Sequence, residues 1–154
     1  MQKSQTHDFE VFDAGKFRVG LVCAQFNSDI TDRILDSAIK RLKDFKIRDD
    51  KVDNYFVTGS VEIPVILQAL AKTKKYDCLI AIGAIIKGKT DHYYYVAKMA
   101  VEGVQKVSLD YNLPIGLAVL TTPNKKLAQL RVNIGAEAAE AVLHNVKIIQ
   151  SLQG

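Results

Sequence analysis

At 154 residues the chain is the length of one domain, and a domain of that size buries roughly 70% of the surface its unfolded form exposes. Hydrophobic residues make up 48% and charged residues 25%, which excludes a disordered chain, and no apolar run approaches the ~20 residues of a membrane span. The formal charge of +4 is spread along helices and loops with no basic stripe of interleaved aromatics, so it speaks against nucleic acid and for small anions such as phosphate esters. No nucleic acid and no membrane are expected among the partners. Met1 to His7 carry no hydrophobic stretch like that of a signal peptide, which makes the cytoplasm the expected compartment. Cys23 and Cys78 lie in apolar runs and read as small buried hydrophobes. With three histidines and no Cys/His cluster at ligand spacing, no metal site is visible and catalysis is expected to need no metal and no cofactor.

Residues 1–15 form an N-terminal arm, and 16–154 read as a single α/β domain without linker or low-complexity segment. In the arm, Phe9 to Asp13 alternate apolar and polar residues; they are either a disordered terminus or, as the two phenylalanines favour, a strand added to a neighbouring subunit's sheet edge. Phe17 to Ala24 is an apolar run bounded by polar residues, the pattern of a buried strand. Ile30, Ile34, Leu35, Ala38, Leu42 and Phe45 then recur at helical spacing, with Ser28 placed to cap and Asp29 and Asp32 near the positive end of the dipole. The alternation repeats as a strand over Val52 to Val57 and a helix over Ile63 to Lys72, with Pro64 tolerated in its first turn. A third strand covers Asp77 to Gly83 and a third helix Asp91 to Tyr111; a fourth strand, Pro114 to Leu120, leads to a helical stretch interrupted near Gly135. Parallel strands joined through helices require right-handed crossovers, so the expected architecture is a four-stranded parallel sheet with helices on both faces.

Ligands of open parallel sheets bind outside the carboxyl ends of the strands, which directs attention to the residues following each strand. These are Gln25-Phe26-Asn27, Gly59-Ser60-Val61-Glu62, the run Gly83 to His92, and Thr121-Thr122. Phe26 either packs over a helix start or offers a face for a flat ring, and Glu62 either stabilises a helix dipole or accepts hydrogen bonds from a polar ligand. Lys87-Gly88-Lys89-Thr90 opens a helix with free backbone N–H groups, two cations and a hydroxyl, a combination suited to phosphate, although its glycine spacing is not that of a Walker loop. His92 falls in the first turn of that helix, four residues before Val96 and so on the face directed at the sheet. A helix N-terminus disfavours the imidazolium, which suits His92 to act as a general base, whereas His7 and His144 lack such a setting.

Together these residues resemble the 6,7-dimethyl-8-ribityllumazine synthase family. The resemblance is carried by Phe26-Asn27 with Ile30-Thr31-Asp32, by Gly59-Ser60-Val61-Glu62-Ile63-Pro64, by Gly83 to His92 continued through Tyr95-Val96, and by Pro114 followed by Leu120-Thr121-Thr122. It spans roughly residues 16 to 150 in one register. It implies a flavodoxin-like three-layer α/β/α fold and a transferase of riboflavin biosynthesis. The implied reaction joins 5-amino-6-(D-ribitylamino)uracil to 3,4-dihydroxy-2-butanone 4-phosphate, with loss of phosphate and water. Residue by residue, it implies that Phe26 stacks on the pyrimidine and that Ser60, Val61 and Glu62 position the ribityl chain beside Asn27, with Ile85 and Ile86 at the ring edge. Lys89 and Thr90 hold the phosphate and His92 moves protons. Arg131 and Leu117 enter from an adjacent subunit, so the implied partner is a second copy of the chain in a homo-oligomer. The family forms pentamers, decamers or sixty-subunit shells. The chain departs from the family at Val61, where an aromatic is common, at Lys87, where arginine is common, and after Arg131, where a glycine- and lysine-rich segment is shortened. A catalytically silent flavin- or lumazine-binding protein, or a shell-forming protein, is the alternative on the same scaffold.

Overall fold

A computed structural model describes residues 10–154. The elements run β1 (Val19–Ala24), α1 (Ser28–Asp44), β2 (Val52–Val57), α2 (Ile63–Lys72), β3 (Cys78–Ile86), α3 (His92–Tyr111), β4 (Ile115–Thr122), α4 (Lys125–Gln129) and α5 (Ile134–Gln153). All strand pairs are parallel and the spatial order is β2-β1-β3-β4, the flavodoxin-like order. The three-layer α/β/α domain expected from the sequence is the one the chain forms.

Alternation of side chains along the strands divides the core in two. Leu21, Cys23, Ile80 and Ile82 face α1 and α5 and pack with Ile30, Ile34 and Leu143. Val22, Ala24, Leu79 and Ala81 face the other way, toward Ile63 and Leu67 of α2 and Val104 of α3. With both faces covered, β1 and β3 can be apolar throughout, which is why they read as continuous hydrophobic runs. Gly103 lets α3 settle on the first turn of α2, since a Cβ there would come within 2.5 Å of the Pro64 ring. Cys23 and Cys78 are free and buried, and burial raises both thiols, that of Cys23 to about 11.

Several boundaries differ from the expectations. β1 begins at Val19 rather than Phe17, and β3 continues three residues past Gly83, because Ala84-Ile85-Ile86 pair with Leu120-Thr121-Thr122 of a correspondingly longer β4. Ser28 does not cap α1; it is the first helical residue, preceded by Asn27 in the left-handed region. The break in the last helical stretch falls at residues 130–133, and Gly135 lies in the first turn of α5. Phe9 lies outside the described residues. Within this chain Glu10 to Asp13 form no strand, and Phe12 packs edge-on against Phe45 and His144 at 5.2 and 5.1 Å.

The amino end of the sheet is closed by a polar cluster around Asp53. Its carboxylate accepts from the Tyr76 hydroxyl at 2.7 Å and faces Lys75 at 3.3 Å and Arg18 at 3.5 Å, while the Tyr55 and Tyr76 hydroxyls meet at 2.8 Å. The Tyr76 hydrogen bond, aided by Lys75 and Arg18 and opposed by burial, holds the carboxyl below its ordinary range. A depressed folded-state value gives stability that is complete above the unfolded value near 4 and is lost as the pH falls through the folded one. Asp53→Ala is therefore expected to cost about 1–2 kcal/mol at neutral pH, with the difference from wild type narrowing below about pH 4 in urea titrations.

Candidate active site

Three segments meet at the carboxyl edge of the sheet. After β1 the chain extends the pairing for two residues, Gln25 N–H donating to the Val57 carbonyl at 2.8 Å and Phe26 N–H to the Thr58 carbonyl at 2.9 Å. Asn27 then reverses direction at φ 63°, a conformation that asparagine tolerates better than most residues, and its Nδ2 donates to the Ala84 carbonyl at 2.8 Å. The turn is thereby fastened to β3, and Phe26 stands 74% exposed above it.

After β2, a short 3-10 turn over Ser60–Glu62 brings Ser60 down onto β3. This approach requires a glycine opposite, because a Cβ at Gly83 would lie 2.5 Å from Ser60 Oγ. Gly83 is thus the point where the second segment crosses the third strand and not the strand's end. After β3, the loop ends at Thr90, whose hydroxyl accepts from the His92 N–H at 3.3 Å at the start of α3.

These segments enclose a cleft of about 350 Å³. Its apolar wall is made by Phe26, Val61, Ala84, Ile85, Ile86 and Val96; Asn27, Gly59, Ser60, Gly88, Thr90, His92 and Tyr93 complete it. An apolar cleft of this size with a few convergent polar groups is the usual form of a small-molecule site. Tyr93 was not anticipated from the sequence, although its place one residue after His92 at a helix start puts it beside the same opening.

Other candidates stand apart from the cleft. Glu62 lies outside its lining, and its Oε1 accepts from the Thr58 hydroxyl at 2.9 Å. Lys89 is exposed on the loop and does not line the cleft. Leu117 and Arg131 line a second depression of about 300 Å³ along the outer strand β4 and the start of α5. His92, expected on the sheet-facing side of its helix, is exposed at the rim of the cleft. The first turn of α3 overhangs the edge of the sheet, and only from Ala100 onward, with Val104 and Val107, is its inner face buried.

Another depression, about 890 Å³, lies between α1 and the start of α5, and at its wall Arg41 pairs with Asp44 at 3.1 Å and with Glu140 at 3.5 Å. It holds none of the candidate residues. Among the described residues no group of three or more His, Cys, Asp or Glu side chains is placed to hold a metal ion, and no helix is long and apolar enough to cross a membrane.

Fold and cleft together define an α/β protein that takes a small molecule at the carboxyl edge of a parallel sheet. Residues 16–150 match the model of the 6,7-dimethyl-8-ribityllumazine synthase family. Proteins named 6,7-dimethyl-8-ribityllumazine synthase from three strains of Coxiella burnetii are each 35% identical to it over 142 residues, covering 89% of this chain and 94% of the relative. The chain belongs to the 6,7-dimethyl-8-ribityllumazine synthase family.

Proposed function

We propose that the protein condenses 5-amino-6-(D-ribitylamino)uracil with 3,4-dihydroxy-2-butanone 4-phosphate to give 6,7-dimethyl-8-ribityllumazine, phosphate and water, as a transferase of riboflavin biosynthesis. The observation that carries this reading is the convergence of Phe26, Ser60, Val61, Ile85, Ile86, Thr90 and His92, from three separate segments, on one cleft. The exposed face of Phe26 stacks on the pyrimidine, and Ile85 and Ile86 bound the ring edge. Ser60, Val61 and Asn27 line the path of the ribityl chain, with Glu62 beside them. Thr90 and the loop amides take the phosphate at the helix start, and Lys89 adds a cation next to them. Gly88 fits this role: a Cβ there would meet nothing within 4 Å, so no packing in the fold demands a glycine, whereas a bare backbone gives an oxyanion access to the amides.

The 5-amino group attacks the ketone and the resulting carbinolamine loses water to give an imine. Loss of the C3 proton then expels phosphate from C4, and the resulting enol tautomerises to a C3 ketone with a new methyl group. The ribitylamino nitrogen attacks that ketone and loses a second water to close the ring. Each step moves a proton, and His92 is the side chain at the cleft placed to accept and return one. Holding two substrates in contact supplies a large part of the rate.

Leu117 and Arg131 reach this cleft from an adjacent subunit, which makes the active form a homo-oligomer built through a head-to-tail contact. Supporting this, apolar side chains stand exposed on elements that lead into or out of the cleft, among them Phe56 on the outer strand β2 and Tyr95 and Met99 on α3. The edge of β2 also suits the arm of a neighbour, the strand role assigned to Phe9 to Asp13.

Arg131→Ala should raise the KM for the butanone phosphate about ten- to a hundredfold, as the loss of a charge-assisted contact would, with a smaller effect on kcat. Co-assembled with the His92→Ala chain in equal amounts, it should recover about a quarter of the wild-type sites, because each site draws one residue from each of two chains. Unchanged kinetics in Arg131→Ala, or no recovery on co-assembly, would make the shared site wrong.

A further inference from the structure

Two ends of the loop between β3 and α3 are pinned, and its middle is not. At the strand end, the Lys87 N–H donates to the Thr122 carbonyl at 2.9 Å. At the helix end, the Tyr94 N–H donates to the Asp91 carbonyl at 3.0 Å and the His92 N–H reaches the Thr90 hydroxyl at 3.3 Å. Gly88, Lys89 and Thr90 are all exposed between them. One side chain spans the gap: the Lys87 ammonium donates to the Tyr94 hydroxyl at 3.4 Å and lies 5.4 Å from the centre of its ring. Tyr94 in turn packs edge-on against Tyr93 at 5.1 Å, and Tyr93 lines the cleft.

We infer that Tyr94 is a positioning residue, which uses Lys87 as a strap across the loop to set the conformation of Gly88 to His92 and the tilt of Tyr93 in the cleft wall. The strap joins residues seven apart across the loop that ends at Thr90 and leads into His92 at the start of α3. A cation over an aromatic ring at an exposed position is worth enough to bias a loop without freezing it. Tyr94 itself does not line the cleft, so it acts through its neighbours and not on a substrate. It also accounts for lysine at position 87: an ammonium on a flexible stem can rise over a ring and reach its hydroxyl together, whereas the planar guanidinium would stack.

The inference rests on the proposed lumazine-forming activity for its kinetic consequence, and on geometry alone for the loop. Two measurements on the purified oligomer separate these. Hydrogen exchange of the amides of residues 88–92 should quicken about two- to fivefold in Tyr94→Ala and in Lys87→Met, less in Tyr94→Phe, which keeps the ring, and no further in the double variant than in Tyr94→Ala. Steady-state assays of Tyr94→Ala should show the KM for the butanone phosphate rising about two- to fivefold with kcat within about twofold, and partial rescue in Tyr94→Phe. Exchange unaltered in Tyr94→Ala, or additive effects in the double variant, would overturn the strap whatever the activity. Faster exchange with an unaltered KM in an active enzyme would overturn the positioning role while leaving the proposed reaction standing.

Discussion

Replacing His92 with alanine is expected to slow lumazine formation about ten- to a thousandfold while leaving the KM for both substrates within a few fold. The range follows from what the imidazole does and what it does not do. In the proposed reaction it transfers protons during imine formation and phosphate loss, while the rest of the cleft holds the two substrates against each other without it. It is exposed at the rim, in the first turn of α3 and outside the buried core, so its removal should leave the fold intact. Thermal unfolding of the variant should accordingly match that of wild type. A fall in kcat with unchanged stability identifies a chemical role; unchanged kcat would take His92 out of the mechanism.

Gly135→Ala is expected to cost about 3 kcal/mol, lowering the apparent melting temperature by about 6–12 °C at fixed chain concentration. A Cβ at Gly135 would collide with the Ile34 carbonyl oxygen and the Ser37 hydroxyl and lie 3.0 Å from the Ala38 nitrogen. Two of these three atoms belong to the backbone of α1, so no side-chain rotation relieves the clash. Ser37 Oγ lies 2.9 Å from the carbonyls of both Ile34 and Val132, and it accepts from the Ala136 N–H at 3.2 Å, joining α1 to the start of α5 at this spot. Pushing α5 outward would break those bonds and displace the adjoining segment that carries Arg131. Gly88→Ala is the control, since open space surrounds its Cβ and its stability should be that of wild type.

Much of the fold was legible because each element carries its own signal. The strands β1 and β3 are apolar on both faces, α1 repeats its buried residues at helical spacing, and parallel connections permit few topologies. What was not legible were contacts made by residues far apart in the chain. Gly83 looked like a strand terminus, and only the arrival of Ser60 explains it. Asn27 stood out only as one of the residues after β1, but its left-handed turn and its bond to Ala84 are what raise Phe26 over the cleft. His92 was expected over the sheet and stands instead at the rim of the cleft, because helical phase says nothing about where the sheet beneath ends. Phe26, Ser60, Val61, Ile85, Ile86 and Thr90 were found from their positions after strands, a rule of topology that survives errors of two or three residues in strand length. Leu117 and Arg131 fall in a depression of their own within a single chain, so their part in the site rests on a neighbour.

The charges of the chain also find their place. Lys87 and Lys89 both stand exposed on the loop beside the cleft, where the proposed reaction brings a phosphate ester. On that loop the Lys87 ammonium lies 5.4 Å from the centre of the Tyr94 ring.

The most direct test is to supply the purified protein with both 5-amino-6-(D-ribitylamino)uracil and 3,4-dihydroxy-2-butanone 4-phosphate and to follow lumazine fluorescence together with phosphate release. Product should form faster than without protein, require both substrates, and appear in step with one phosphate for each lumazine. A folded, oligomeric preparation that gives no lumazine above the protein-free rate would contradict the account.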